Sequence, residues 1–190
     1  MSILLTERLR LEPFAEHHLD GLHEMNRRPE VMQYITGQAE SREQTAEGIA
    51  RVQRCWAAWG TGWWAFVRKA DGRIVGAGCV QHLRPEAAMP ADLDSLRNNP
   101  LEIGWRLHPE FWHQGLASEA AERMAAFAFT NLDAKELLAV RHPANADSAR
   151  VMDRLGMRFR ATEFWCGTNV ATHAISRESW LEAHSGRNES

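Results

Sequence analysis

The sequence predicts a single mixed α/β (α+β) domain in which helices lie against a sheet. Apolar residues recur every second position in some segments and every third or fourth in others. The order along the chain is strand, helices, three strands, helix, strand, helix, two strands, which is a layered arrangement and not a bundle or sandwich. A length of 190 residues, with 44% hydrophobic and 25% charged residues, suits one compact core. No repeat, low-complexity run or linker divides it.

Each element has a local reason. "LLTERLRLEPF" (Leu4–Phe14) alternates as a strand, with Leu5, Leu9 and Leu11 apolar among charges. Leu19, Leu22, Met25 and Val31 recur near helical spacing, and Pro29 suits the start of a second short helix. Ser41 followed by Gln44 is a capping box. It opens a helix whose apolar face is Ile49, Val52, Trp56 and Trp59, ending at Gly60. "WWAFVRK" and "RIVGAGCVQHL" are strands joined at Asp71-Gly72, a hairpin signal. Arg84–Pro100 is acidic and holds three prolines, which predicts a long loop with a helical turn near Leu93. "LEIGWRLHP" (Leu101–Pro109) reads as a strand. From Ala117 onward Ala120, Met124, Phe127 and Ala128 form a helix face reaching Asn131. "ELLAVRH" is a buried strand. Asn145 caps a short helix with Val151, Met152 and Leu155 inward and Gly156 as its stop. "MRFRATEFW" and "VATHAISRESW" are expected as two final strands. The domain is placed at residues 1–183, followed by a polar tail over 184–190.

Composition excludes several classes. A net charge of −3 gives no case for nucleic acid as partner. No apolar run approaches the roughly 18 residues that span a bilayer, so no membrane partner is expected. The start lacks a basic n-region followed by an apolar h-region, so it does not read as a signal peptide. Cys55, Cys79 and Cys166 are odd in number and widely spaced, which suits free thiols and a cytoplasmic protein. The nine histidines include His17-His18 but no metal spacing, and no metal is expected. Monomer and homodimer both remain open.

The chemistry concentrates in "EFWHQGLASEAAERM" (Glu110–Met124). A helix start leaves N–H groups without intrahelical partners and carries the positive end of the macrodipole. With small residues in the turn, these become an anion site. Gly115 and Ala117 supply the room, and Gln114 and Ser118 the extra donors. A plain turn with a Ser-Glu helix start would look the same. Other phosphate motifs fit worse. The P-loop pattern is absent, and "GAGCVQ" (Gly76–Gln81) lies inside a strand and opens no helix.

These stretches together resemble the GNAT family of acetyl-CoA-dependent N-acetyltransferases, and within it the RimJ/RimL-like branch. The family motif Q/R-x-x-G-x-G/A is similar to Trp112-His113-Gln114-Gly115-Leu116-Ala117, matching at Gly115 and Ala117. It departs at Trp112 and at His113, where Gly is usual. "LLTERLRLEPF" with "PEVMQYI", "LEIGWRL", and "NADSARVMDRLGM" through Asn145, Ser148, Leu155 and Gly156 resemble three further branch motifs, in the family's order. The resemblance covers residues 3–181 with a gap at Arg84–Pro100. It implies a twisted, mostly antiparallel mixed sheet whose central strands splay, with acetyl-CoA as co-substrate in the split. The pyrophosphate would rest on the N–H groups of Gln114, Gly115, Leu116, Ala117 and Ser118, beside His113. Pantetheine would pair near Leu107, and Asn145 and Ser148 would approach from the other side.

Acetylation of a primary amine needs a base, an oxyanion donor and a proton or hydrogen bond for the departing sulfur. A Lys ammonium has a pKa of about 10.4 and an α-amino group about 7.7–8.0, so an α-amine asks less of the base. Glu102 lies where the resemblance associates a carboxylate base; facing solvent or an Arg is its bland alternative. Ser148 is the leaving-group candidate, with helix capping as its alternative. His173 falls where related chains often have Tyr and, facing the site, would be a further acid or base candidate; a structural histidine in a strand is its bland alternative. Trp105 adjoins the reaction centre and is the substrate-contact candidate. Cys79 has no neighbouring His-Asp set to make it a nucleophile. Glu86, Asp92 and Asp94 in the long loop would attract a cationic amine, as in an aminoglycoside acetyltransferase; a solvated acidic loop is the alternative that the composition favours. The acceptor is a protein N-terminus or a small-molecule amine, attacked directly in a ternary complex. The rival reading is a degenerate GNAT-fold module that binds acyl-CoA or a protein without catalysis.

Overall fold

A computed structural model describes residues 2–185. β1 (Leu4–Leu5) and β2 (Leu9–Pro13) precede α1 (Leu19–Asn26), α2 (Pro29–Met32) and α3 (Arg42–Trp59). The chain continues through β3 (Trp63–Arg68), β4 (Ile74–His82), β5 (Leu101–Leu107), α4 (Leu116–Asn131) and β6 (Glu136–Arg141). It closes with α5 (Ala146–Arg154), β7 (Arg158–Trp165), β8 (Thr168–Ser176) and α6 (Arg177–Ser185).

The eight strands form one sheet in the order β1-β2-β3-β4-β5-β6-β8-β7. Every neighbouring pair is antiparallel except β5 and β6, which run parallel and share the single register pair Glu102 with Leu138. Beyond that pair the strands part, so the sheet opens at its middle.

The sheet's two faces carry different chemistry. Adding a Cβ to Gly78 would bring it 2.7 Å from the Met124 methyl, so even-numbered positions of β4 beyond residue 75 face α4. Trp64, Phe66, Ile103 and Leu107 share that face by register, and α4 lays Leu116, Ala120, Met124 and Phe127 on it. The opposite face carries Trp63, Cys79, Gln81, Glu102 and Arg106, and meets α1 and α3. Burying each large apolar side chain is worth about 1.5–3 kcal/mol, and one continuous core draws on α4 and on α1, α2 and α3. The face of Glu102 also carries the polar Gln81 and Arg106.

Local signals account for most boundaries. Ser41 and Gln44 form the reciprocal capping box, with Gln44 N donating to Ser41 Oγ at 3.2 Å and Ser41 N to Gln44 Oε1 at 2.8 Å. The long loop contains the helical turn, at Leu93–Leu96. Two expectations are corrected. Leu4–Phe14 is not one strand, because the Thr6 hydroxyl accepts from Leu9 N at 2.9 Å and closes a turn that folds β1 back on β2. "VATHAISRESW" is not a strand throughout. Ser176 Oγ accepts from Ser179 N at 3.1 Å and starts α6, with Glu178 in its first turn. The expected tail over 184–190 begins inside α6, where His184 stacks on Trp180 at 3.8 Å. Residues 186–190 lie outside the described residues.

Candidate active site

The opening between β5 and β6 leads to a cavity of about 550 Å³. One wall is the turn from β5 into α4. Pro109–Phe111 makes a single helical turn, and Trp112 swings back so that its Nε1 donates to Leu107 O at 2.9 Å. His113 then adopts φ +58° and Gly115 φ +78°. This double left-handed kink leads into residues 115 to 118, all of which line the cavity with the N–H groups of the helix start. None of them donates to a backbone carbonyl among the described residues. Unpaired N–H groups at a helix start, with the macrodipole behind them, are what an anion needs.

The second wall is α5. Asn145 caps it, accepting from Ser148 N at 3.1 Å, and both residues line the cavity. Arg150 and Arg154, four residues apart, line it too; Arg154 Nη1 reaches Ser118 Oγ at 3.4 Å across the gap. Arg150 pairs with Asp147. Neither arginine was singled out from the sequence, although an Arg-x-x-x-Arg spacing on the capped helix was the available signal. Tyr34 also lines this cavity and stacks on His142 at 5.2 Å, joining the segment after α2 to the β6–α5 turn.

The backbone of β5 is the floor. Val80 N donates to Gly62 O at 3.1 Å, toward β3, so odd positions of β4 bond β5. By register, Glu102, Gly104 and Arg106 point their backbone groups at β4. Ile103, Trp105 and Leu107 therefore direct theirs into the split. The Leu107 carbonyl is taken by Trp112, leaving its N–H and both groups of Trp105 at the open edge.

The anticipated site residues are not all brought together. His113, Gly115, Leu116, Ala117, Ser118, Leu107, Trp105, Asn145 and Ser148 line the first cavity. Gln114 does not; its Nε2 donates to Glu110 O at 2.8 Å and its carbonyl accepts from Arg8 Nη1 at 2.9 Å. Glu102 sits on the opposite face, 7% exposed, with Oε1 accepting from Gln81 Nε2 at 2.7 Å. Gln81 is itself held by Trp63 Nε1 at 3.1 Å. Burial pushes the Glu102 carboxyl above the usual carboxylate range, against the pull of Gln81 and the Arg84 charge. His173 lies elsewhere. It pairs with Ala139 on the core face, its ring 5.6 Å from Phe159, and lines neither this cavity nor the second one described below. Burial lowers its pKa and leaves Nδ1 unpartnered. Thr172, one residue away, shares the Glu102 face and has a buried, unpartnered hydroxyl.

Cys79 is sealed in, and burial, with the Glu102 charge adding to it, raises its thiol pKa well above normal. Cys166 is pushed up to about 11 by burial. Neither is a thiolate nucleophile at neutral pH. Glu12, His17 and His18 converge closely enough to suggest a metal. However, Ala15 N donates to His18 Nδ1 at 3.1 Å, which puts the ring proton on Nε2, where it donates to Glu12 Oε2 at 3.1 Å. That nitrogen has no lone pair for a cation.

A family model described as the acetyltransferase (GNAT) domain matches residues 8–158. The chain belongs to the GNAT acetyltransferase family. It is 28% identical over 187 residues to an FsC-acetyl coenzyme A-N(2)-transacetylase from Aspergillus fumigatus, covering 94% of this chain and 77% of that one. Among solved structures it is similar to a GNAT-family acetyltransferase from Bacillus anthracis, with TM-score 0.74 and 22% identity over 93% of this chain and 99% of that one. It is also similar to RimL, a ribosomal L7/L12 α-N-protein acetyltransferase in complex with coenzyme A. There the TM-score is 0.75 and the identity 15%, over 94% and 99% of the two chains. The structural likenesses establish the fold.

In this GNAT domain the turn before α4 is tied to the N-terminal strands. Glu119, in the first turn of α4, accepts from Thr6 Oγ1 at 2.5 Å, Arg8 N at 2.8 Å and Arg8 Nε at 2.6 Å. Arg8 then reaches the Gln114 carbonyl. Burial raises the Glu119 pKa, but the Thr6 and Arg8 hydrogen bonds outweigh it and hold the carboxyl below its usual value. Its stabilisation is therefore present above the unfolded pKa and lost as pH falls through the folded one. Glu119→Ala is expected to cost about 2 kcal/mol of stability at pH 7 by removing the acceptor shared by Thr6 Oγ1, Arg8 N and Arg8 Nε. In thermal melts run from pH 7 downward, the gap from wild type should close as the wild-type carboxyl protonates.

Proposed function

We propose that this protein transfers the acetyl group of acetyl-CoA to a primary amine, on a protein N-terminus or a small molecule, by direct attack in a ternary complex. The observation that carries the reading is the split between β5 and β6 with unpaired helix-start N–H groups at its mouth. Acetyl-CoA supplies the activated acyl group. The N–H groups of residues 115 to 118, with Arg150 and Arg154, hold its phosphates; Trp105 and Leu107 offer the open backbone edge to its pantetheine arm. Glu102 takes the amine proton, directly or through a water, as the nitrogen–carbon bond forms. The Trp105 N–H is the candidate donor to the oxyanion. As the carbon–sulfur bond breaks, Ser148 supports the sulfur, and the proton lost by nitrogen is matched by one gained by sulfur. Kinship to the RimJ/RimL branch and a protein N-terminus as acceptor belong to this proposal.

The degenerate-module reading is less favoured, because a desolvated carboxylate beside the split has no use in mere binding. Calorimetric titration with acetyl-CoA tests the reading. Binding at micromolar concentrations is expected, and its absence at millimolar concentrations overturns it.

A further inference from the structure

A second cavity, of about 610 Å³, lies on the Glu102 face of the sheet, between α3 and the loop that follows β4. Ile35 and Arg106 line both cavities, so the two meet there. Four arginines line it, Arg51, Arg54, Arg84 and Arg106, against two glutamates, Glu40 and Glu47. In a chain of net charge −3 this positive excess is local. None of the four arginines forms an ion pair with a carboxylate among the described residues. Arg84 Nε donates to the Ala87 carbonyl at 3.0 Å, and Arg106 Nε to Asn26 Oδ1 at 3.1 Å.

Arg106 stands at the junction and is built in. Its guanidinium lies over the Trp63 ring at 4.5 Å. Asn26, itself buried, passes on to Glu40 Oε2 at 2.9 Å, so the nearest negative charge is one amide away. The ring and Asn26 fix the group's plane while Nη1 and Nη2 bond no described residue. Burial pushes the Arg106 pKa down, and the like charge of Arg51 adds to that while Glu40 opposes it. The guanidinium is half-buried, lines the cavity and has no carboxylate partner among the described residues, so a ligand can supply one. Its paired terminal N–H groups match a carboxylate in bidentate fashion.

We propose that this cavity is the acceptor pocket and that it selects amines that also bear a carboxylate, such as amino acids or short peptides, with Arg106 as the residue that reads the carboxylate. This rests on the acetyltransferase reading and adds the acceptor's class. The acidic loop does not oppose it. Asp94 pairs with Arg97, Asp92 caps Asp94 N at 3.0 Å, and neither lines either cavity. A polycationic amine would meet the four arginines, so the aminoglycoside variant is disfavoured.

The test is thiol release from acetyl-CoA with amino acids, dipeptides and tripeptides, each paired with its C-terminal amide. Acetyl-CoA affinity is measured separately by calorimetry. Wild type is expected to prefer the free carboxylates by about tenfold or more in kcat/KM. Arg106→Gln should erase the preference by raising KM for the carboxylates alone, with acetyl-CoA affinity within about twofold of wild type. Arg51→Gln, at an exposed position that cannot upset the core, should reduce the preference in part with no change in melting temperature. Amides or polyamines used as well as carboxylates by wild type would overturn the proposal. So would an Arg106→Gln variant that loses both classes equally or loses acetyl-CoA instead. Acetyl-CoA binding with no thiol release for any amine would instead remove the acetyltransferase reading, and this inference with it.

Discussion

Glu102→Gln is expected to lower kcat about 100- to 1,000-fold at pH 6.5, within the roughly 10²–10⁴-fold that a positioned general base supplies. Glu102 lines neither cavity, but the substitution keeps the hydrogen bond from Gln81, because the amide oxygen can accept in place of Oε1, so Gln81 holds its place in the lining of the second cavity. The deficit should narrow toward pH 9, where an α-amine with a pKa of about 7.7–8.0 is already neutral and needs less help. A ratio that stays constant over that range would remove Glu102 from the role of base. Stability supplies an independent readout with the opposite sign. Burial raises the folded-state pKa of Glu102, so its contribution favours the fold below the unfolded pKa and is lost as pH rises through the folded one. At pH 8, above the unfolded pKa, burying this group costs the wild type stability, whereas the uncharged glutamine carries no such cost. The variant should therefore melt higher at pH 8, and the gain should vanish as the pH falls below the unfolded value. A slower yet more stable protein is the signature of a buried catalytic carboxylate; a side chain that merely props the wall would lose both.

The same residue shows how far sequence reasoning reaches. Elements with a local cause were legible: the Ser41–Gln44 box, the Asp71-Gly72 hairpin, the Asn145 cap and the small residues that open α4. Each is settled within a few residues, by hydrogen bonds the segment makes with itself. The acceptor pocket was not legible. Arg51 comes from α3, Arg84 from the loop after β4 and Arg106 from β5, and only the folded chain brings the three to one cavity. Side-chain facing was the other gap. His173 and Thr172 are adjacent, and which of them shares the face of Glu102 depends on a register that no local pattern fixes. The register selects Thr172. The final helix was missed for a different reason. β8 and α6 abut without a turn, so the apolar run reads through Ser176, and only its hydroxyl cap marks the change.

Gly115→Val is expected to weaken acetyl-CoA binding about 100-fold, close to 2.7 kcal/mol, while leaving the protein folded. Gly115 stands at φ +78°, a region where an L-residue costs roughly 1–2 kcal/mol and a β-branched one more. The space itself is not the obstacle on the protein's side, since an added Cβ would lie 3.5 Å from Arg8 Nη2, an ordinary contact. Strain at the N-cap must therefore be relieved by turning the peptide planes on either side, and those planes carry the N–H groups of residues 115 and 116. Tilting them away from the cavity removes the phosphate donors without touching the core below Leu116. Gly115→Ala, with the same φ and less bulk, should fall between the two, at about tenfold. His113→Gly is the internal comparison. His113 also adopts positive φ, at +58°, but its side chain is exposed and the residue precedes the helix start. Relief of its strain and the added chain entropy of glycine nearly cancel, within about 1 kcal/mol, so that variant should melt close to wild type. Calorimetry on the three variants, with melting temperatures alongside, separates the cases. A Gly115→Val protein that binds acetyl-CoA within threefold of wild type would show that the turn before α4 is not where the phosphates rest.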